Sequence, residues 1–352
     1  MSAMSRINLC VLFGGASSEH EISLKSASSV LRGLDTEKYN IITVGITKQG
    51  DWFHLPCVTP DEILENSWQN CEKEPCTVSV SRSNRGIVCN ASGKLLPVDV
   101  VFPVLHGENG EDGRVQGLFE LAGIPCVGPG CLSSAVCMDK SVTKLIAATT
   151  GVRQADWVLV TDKNWSEEKI EEIENKFSYP VFIKPAGTGS SVGTAKANDR
   201  KELVSGIEAA LPFGGKVLVE EYINAREIET AALGNGEPEI SVCGEVVASR
   251  EFYSYESKYL DGTSEIVIPA NLPEKTAEKI RDYAKKIYMA LGCRGLSRVD
   301  FFIDKTNGEI VFNEINTIPG FTDISMYAKL FAACGIEFSE LLDRIIACAL
   351  EA

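Results

Sequence analysis

Tyr179-Pro-Val-Phe-Ile-Lys-Pro-Ala-Gly-Thr-Gly-Ser-Ser-Val-Gly193 is the stretch that decides the fold. A short apolar strand delivers Lys184 to a loop holding three glycines and two serines, Ser190 and Ser191. Backbone N–H groups without side chains approach phosphate oxygens closely, the serine hydroxyls add donors, and Lys184 supplies a point charge. The spacing is not that of a P-loop, because no Lys-Ser/Thr pair follows the last glycine. A flexible loop with no ligand is the plainer alternative.

A second stretch answers the first. Arg298-Val-Asp300 and Asn313-Glu314-Ile-Asn316 lie on either side of the turn Asp304-Lys-Thr-Asn-Gly308. The turn predicts an antiparallel hairpin that sets residues near 300 opposite those near 314, with Glu314 and Asn316 on one face. Asp300, Glu314 and Asn316 then form a cluster of hard oxygen donors of the kind Mg²⁺ takes beside phosphate. Two acids and an amide inside the apolar runs VDFFI and IVFNEIN need such a partner to justify burial. A third run, Glu220-Glu221-Tyr222-Ile223 with Glu227 beyond it, ends an apolar strand in carboxylates suited to ribose hydroxyls and an adenine amino group; exposed strand-end acids are the alternative.

Outward from these, the chain alternates strand and helix. INLCVLF (7–13) reads as a buried parallel strand that feeds Gly14-Gly15 and a helix to about Gly33; strands at 40–47 and 98–105 and a helix ending at Gly123 follow. The Gly14 turn lacks the GxGxxG spacing, and no acid ends the second strand, so a dinucleotide site is excluded; Glu19 reads instead as a carboxylate poised for an ammonium group. His106-Gly-Glu-Asn-Gly-Glu-Asp-Gly113 leaves a strand at its C-terminal end, where open α/β sheets bind ligands. Residues 51–95 read as less regular, and 131–150 as one helix. The fold class is α/β in three lobes: an open parallel α/β lobe (1–127), a small α+β lobe (128–224), and a third (225–352) carrying a polar aromatic loop at 251–264.

Composition narrows the function. The net charge of −15 supplies no basic footprint for nucleic acid. No apolar run is long enough to span a bilayer, and the first residues do not form a secretion signal, so a cytoplasmic protein without a membrane partner is expected. The twelve cysteines are scattered singly without a CxxC, which points to buried reduced thiols.

Taken together these residues resemble the D-alanine–D-alanine ligase family, a branch of the ATP-grasp enzymes. The matching runs are FGGASSEHEISLKSA, FPVLHGENGEDGRVQGLFELAGIPCVG, CMDK, YPVFIKPAGTGSSVGTAK, FYSYESKYL, SRVDFF and NEINTIPGFTDISMY, in order over about 13–327. The resemblance implies that Lys140 and Lys184 grip ATP phosphates, joined by Lys258 from the loop, and that Glu220, Glu221, Tyr222, Ile223 and Glu227 surround adenine and ribose. Ser191, Phe252 and Asn313 are expected around the same nucleotide. Asp300, Glu314 and Asn316 would hold two Mg²⁺, for which Mn²⁺ substitutes. Glu19, Ser190 and Tyr259 resemble the triad that orients the first D-alanine, with His106 nearby. Arg298 and the Gly320 amide resemble the oxyanion site, and Ser325 and Met326 would meet the carboxylate of the second substrate. The implied reaction forms an acyl phosphate from the first D-alanine and ADP, then an amide with the second, under a closed loop at 251–264, for peptidoglycan precursor synthesis; a homodimer is the family's habit. An apolar Met326 suits the methyl of D-alanine, with D-serine as the alternative second substrate. Another ATP-grasp carboxylate–amine ligase and a nucleotide-binding sensor are the other readings.

Overall fold

The computed structural model describes residues 6–189, 192–247, 265–322 and 325–351. Ser190, Ser191, Phe252, Lys258, Tyr259 and the whole 251–264 loop lie outside the described residues.

Three sheets organise the chain. The first has the order β6-β5-β4-β3-β2-β1-β7. Its strands are β1 (Ile7–Gly14), β2 (Tyr39–Ile46), β3 (Trp52–His54), β4 (Glu74–Ser79), β5 (Gly86–Cys89), β6 (Leu95–Pro97) and β7 (Val100–Pro103). The apolar run of β1 pairs in parallel with both β2 and β7, as its near-continuous burial demands. The rest departs from the all-parallel expectation. Residues 51–95 are not irregular: β3 to β6 extend the sheet by antiparallel pairing. Cys76 and Cys89 pair across β4 and β5 and are buried as small apolar residues, as the sequence reading of buried thiols expects.

The second sheet has the order β10-β9-β11-β8, from β8 (Trp157–Thr161), β9 (Val181–Pro185), β10 (Ala195–Ala197) and β11 (Lys216–Glu221). The third runs β15-β14-β12-β16-β17, with a short strand β13 (Glu239–Ile240) paired to β12. Its strands are β12 (Ala225–Gly234), β14 (Gly244–Val247), β15 (Glu265–Val267), β16 (Gly295–Asp304) and β17 (Ile310–Asn316).

The helices are α1 (His20–Gly33), α2 (Pro60–Leu64), α3 (Arg114–Ala122), α4 (Cys131–Met138), α5 (Lys140–Ala147), α6 (Glu167–Lys176), α7 (Arg200–Ala210), α8 (Glu274–Ala290), α9 (Met326–Ala332) and α10 (Phe338–Leu350). The stretch 131–150 is therefore two helices and a short 3₁₀ turn rather than one helix. The break is Asp139. Its carboxylate accepts from the N–H groups of Ser141 and Val142 and caps α5, so its own backbone leaves the helical region.

The C-terminal helices do not stay with the third sheet alone. Leu341, Leu342, Ile345 and Ile346 of α10 share one buried core with Leu9, Val11, Phe13, Val30 and Trp68 of the first lobe. Tyr39 and Lys38 reach across to Asp343 at 2.8 and 2.5 Å. Leu342→Ala should therefore lower stability by about 2–5 kcal/mol and move the Trp68 fluorescence transition in urea along with the helical one. Two separated transitions would show that α10 and the first sheet do not unfold together.

Candidate active site

Glu111, Lys140, Lys144, Thr188, Gly189 and the end of β17 line one cleft to which all three lobes contribute. Lys184, on β9, borders it through Asn313. Register sets Lys184 opposite Leu218 and Glu220 opposite Phe182, so Lys184 and Glu220 are diagonal neighbours on one face. The Lys184 ammonium lies 2.7 Å from one Glu220 oxygen, and that of Lys144, one turn into α5, lies 3.0 Å from the other. Glu220 and Lys144 are almost wholly buried. Burial alone would raise the Glu220 carboxyl, but the two ammonium groups outweigh it and hold it down at about 2. Burial in turn pushes Lys144 below its usual value, against the pull of Glu220.

Lys184 also donates to Asn313 Oδ1 at 3.1 Å, which joins the glycine loop to the acidic hairpin. The hairpin has the expected pairing, Asp300 opposite Glu314 and Arg298 opposite Asn316. It has one feature that strict alternation misses. The register shifts between Asp300 and Phe301, which leaves Asn313 as the extra residue of a β-bulge. The bulge lets Asn313 join Glu314 and Asn316 along the cleft.

Arg298 binds Asp300 through two hydrogen bonds of 2.8 and 2.7 Å and Glu229 at 2.9 Å. Asn316 donates to Asp300 at 3.0 Å. Burial disfavours the guanidinium charge, and Asp300 and Glu229 overcome that penalty, so Arg298 is a fixed cation. From the first lobe, Glu19 is buried against two glycines: a Cβ on Gly107 would fall 2.5 Å, and one on Gly189 3.2 Å, from its carboxylate. Gly107 also has φ +72°, so no other residue suits this position. Glu111 is half-buried in the wall of the cleft, and desolvation together with Glu19 pushes its carboxyl up to about 8. Lys140 is tied to the glycine loop through the Thr188 carbonyl. Tyr222 stacks on Phe182 at 5.9 Å with Lys196 above its ring, beside Ile223 at the end of β11. Glu221, on the other face of β11, accepts from the Asp156 amide and Arg153. Glu227 faces Lys184 from β12. Gly320 abuts the Ser325 hydroxyl, which bonds to Thr322.

Glu220 keeps the position expected of it, with one lysine on each oxygen and lone pairs left on both. One side chain departs from its expected part. Met326 does not present its thioether to a substrate; with Tyr327, Leu330 and Phe331 it forms the buried face of α9, packed against Gly244. Its apolar character therefore reflects the core and says nothing of a methyl pocket. His106 lies close to Glu19, as expected, with its ring nitrogens engaged by Ser26 at 2.9 Å and the Ile318 carbonyl at 3.2 Å. The sequence reading missed Lys144, Glu229 and Glu111. Lys144 follows Lys140 at helical spacing, and Glu229 is an acid inside the apolar strand IETAAL, so signals existed for both.

Three α/β lobes closing on a lysine-bearing glycine loop and an acid-lined hairpin are those of an ATP-grasp ligase. Residues 8–129 match the family model described as D-ala D-ala ligase N-terminus, and residues 146–347 that described as D-ala D-ala ligase C-terminus. The chain belongs to the D-alanine–D-alanine ligase family. It is 50% identical to the D-alanine–D-alanine ligase of Caldicellulosiruptor bescii over 99% of this chain and 96% of that protein, and 50% identical to that of Clostridium acetobutylicum over 96% of each. Among solved structures it superposes on the VanG D-Ala:D-Ser ligase of Enterococcus faecalis with a TM-score of 0.91 at 42% identity, covering 98% of this chain and 100% of that one. For the D-alanine–D-alanine ligase of Coxiella burnetii the TM-score is 0.86 at 32% identity, covering 98% and 96%. Among the described residues no helix is long and apolar enough to cross a membrane.

The buried lysine pair gives a sign-specific test. Because the Glu220 carboxyl is depressed to about 2, its contribution to stability is complete above the ordinary carboxylate value and is lost as pH falls towards 2. Glu220→Gln leaves two buried cations uncompensated and should cost about 3–5 kcal/mol at neutral pH. Urea midpoints between pH 2 and 7 should show a smaller acid-side loss in the variant than in the parent; parallel curves would exclude the pairing.

Proposed function

We propose that the protein joins two D-alanine molecules at the expense of ATP, with Mg²⁺, through an acyl phosphate. One observation carries this reading: the Lys184 ammonium stands within hydrogen-bond distance of both Glu220 and Asn313, so cationic loop and acidic hairpin meet at one point. A carboxylate and a triphosphate repel each other, and Lys140, Lys184 and Arg298 supply fixed positive charge where they must approach.

The donor set fits Mg²⁺. Asp300, Glu314 and Asn316 offer hard oxygen atoms, and among the described residues no group of three or more His, Cys, Asp or Glu forms a complete protein cage. Mg²⁺ is ordinarily bound in this way, with phosphate and water completing its shell. When bound, it would neutralise charge developing on the transferred phosphoryl group. Lys184 and Lys140 would hold the phosphates. The stacked Phe182 and Tyr222 with Ile223 are suited to the base. Glu19, set between Gly107 and Gly189, would take the ammonium of the first substrate. Arg298, aligned by Asp300 and Glu229, and the Gly320 amide would receive the tetrahedral oxygen, each donor worth roughly 3 kcal/mol. The lobes implied by this reading are 1–127, 128–224 and 225–352, with 251–264 as the lid and Lys258 and Tyr259 acting from it.

With ATP and Mg²⁺ present, phosphate release should require D-alanine and should not occur with L-alanine. Glu314→Ala should reduce it by at least roughly 100-fold. Equal turnover with either enantiomer would refute the substrate assignment. With Met326 buried, the second substrate is decided by competition: supplied with equal D-alanine and D-serine, the protein should release mainly D-alanyl-D-alanine. A predominance of D-alanyl-D-serine would favour the activity that the VanG ligase's name records.

A further inference from the structure

The reaction's amide-forming half depends on a short segment, 318–322, that leaves β17 and carries the Gly320 amide. This segment belongs to the third lobe, yet its backbone is held by side chains of the first. The Glu111 carboxyl group accepts from the Ile318 N–H at 3.4 Å and from the Gly107 N–H of its own loop at 2.6 Å. His106 Nδ1 meets the Ile318 carbonyl at 3.2 Å, His106 Nε2 meets Ser26 Oγ at 2.9 Å, and the Phe321 N–H donates to Ser26 Oγ at 3.3 Å.

The proton positions in this chain are determined by elimination. The Ile318 carbonyl can only accept, so His106 Nδ1 carries a hydrogen. Burial lowers the His106 pKa, so the ring is neutral and Nε2 is an acceptor. Ser26 must then donate its hydroxyl hydrogen to Nε2, and its lone pairs are left to receive the Phe321 N–H. Every contact has one donor and one acceptor, and the circuit closes on the backbone either side of Gly320. His20, the neighbouring buried histidine, takes no part; its Nδ1 bonds the Gly15 carbonyl.

We propose that Ser26 and Glu111 are positioning residues for amide formation: with neutral His106 they hold residues 318–321 so that the Gly320 amide faces the tetrahedral centre. Ser26 is not among the residues that line the cleft with Asn313, whereas Glu111 is. The loss of Ser26 should therefore fall on the second half-reaction and spare the first, while the loss of Glu111 should touch both. This inference rests on the ligase reading above and names the residues through which the first lobe serves it.

The test uses the full chain with Ser26→Ala, Ser26→Thr and Glu111→Gln. Oxygen exchange within isotopically labelled ATP in the presence of D-alanine reports acyl phosphate formation, and dipeptide release reports the whole reaction. Ser26→Ala and Glu111→Gln should each lower kcat for dipeptide by roughly 10-fold or more; in Ser26→Ala, KM for ATP and the exchange rate should stay within about twofold of the parent. Ser26→Thr, which keeps the hydroxyl, should recover most of the loss. Dipeptide turnover unchanged in both variants, or KM for ATP rising in step with the loss in Ser26→Ala, would overturn the proposal. Backbone hydrogen exchange at residues 318–321, measured by mass spectrometry, needs no activity: it should quicken in Ser26→Ala and Glu111→Gln and return towards the parent rate in Ser26→Thr. If the parent made no dipeptide, the ligase reading would fail; unchanged exchange in both variants would remove the circuit itself.

Discussion

A carboxylate buried between two lysines is the constraint on which the rest of the site depends. Glu220 cannot leave water without compensation, and Lys184 alone supplies one charge to a group with two buried oxygens. Lys144 supplies the other from a different helix. The triad thereby ties α5, β9 and β11 together and fixes the root of the glycine loop. The direction in which Lys184 points follows from this pairing, and so does its reach to Asn313 on the third sheet.

The same economy appears at Arg298. A guanidinium in an acid-lined hairpin would be expected to collapse onto one carboxylate. Asp300 on its own strand and Glu229 on the next hold it from two sides, which leaves it a fixed cation rather than a mobile one. Charged groups in the cleft are thus preorganised by other charged groups, and the cost of burying them is spread over α5 and the second and third sheets. The first lobe takes part through its loops and through a core it shares with α10, so the lobes meet by packing as well as by hydrogen bonds.

Much of this was legible in residue order. The strand that carries Lys184 and the pairing across the 304–308 turn follow from local periodicity and turn chemistry, and both appear in the structure. Strands β3 to β6 were not legible, because they are only three to six residues long and lie among Ser, Asn and Gly that read as loop. The break at Asp139 was obscured by good helix formers on both sides. Met326 was misread because one residue of a helix was considered without its neighbours: Tyr327, Leu330 and Phe331 show that it lies on the buried face of α9.

By itself the sequence determined which chemical groups are present and which lie near one another along a strand or a turn. It placed Lys184 ahead of a phosphate-sized loop and set Asp300 across from Glu314, since both relations span few residues and obey fixed periods. Only the tertiary structure decided the pairings between distant segments: Glu220 with Lys144, Arg298 with Glu229, Ser26 and Glu111 with the backbone near Gly320. The physical reason is that a buried charge or amide takes whichever partner the packing of separate elements brings within about 3 Å, and that choice is made by how whole sheets and helices settle against one another.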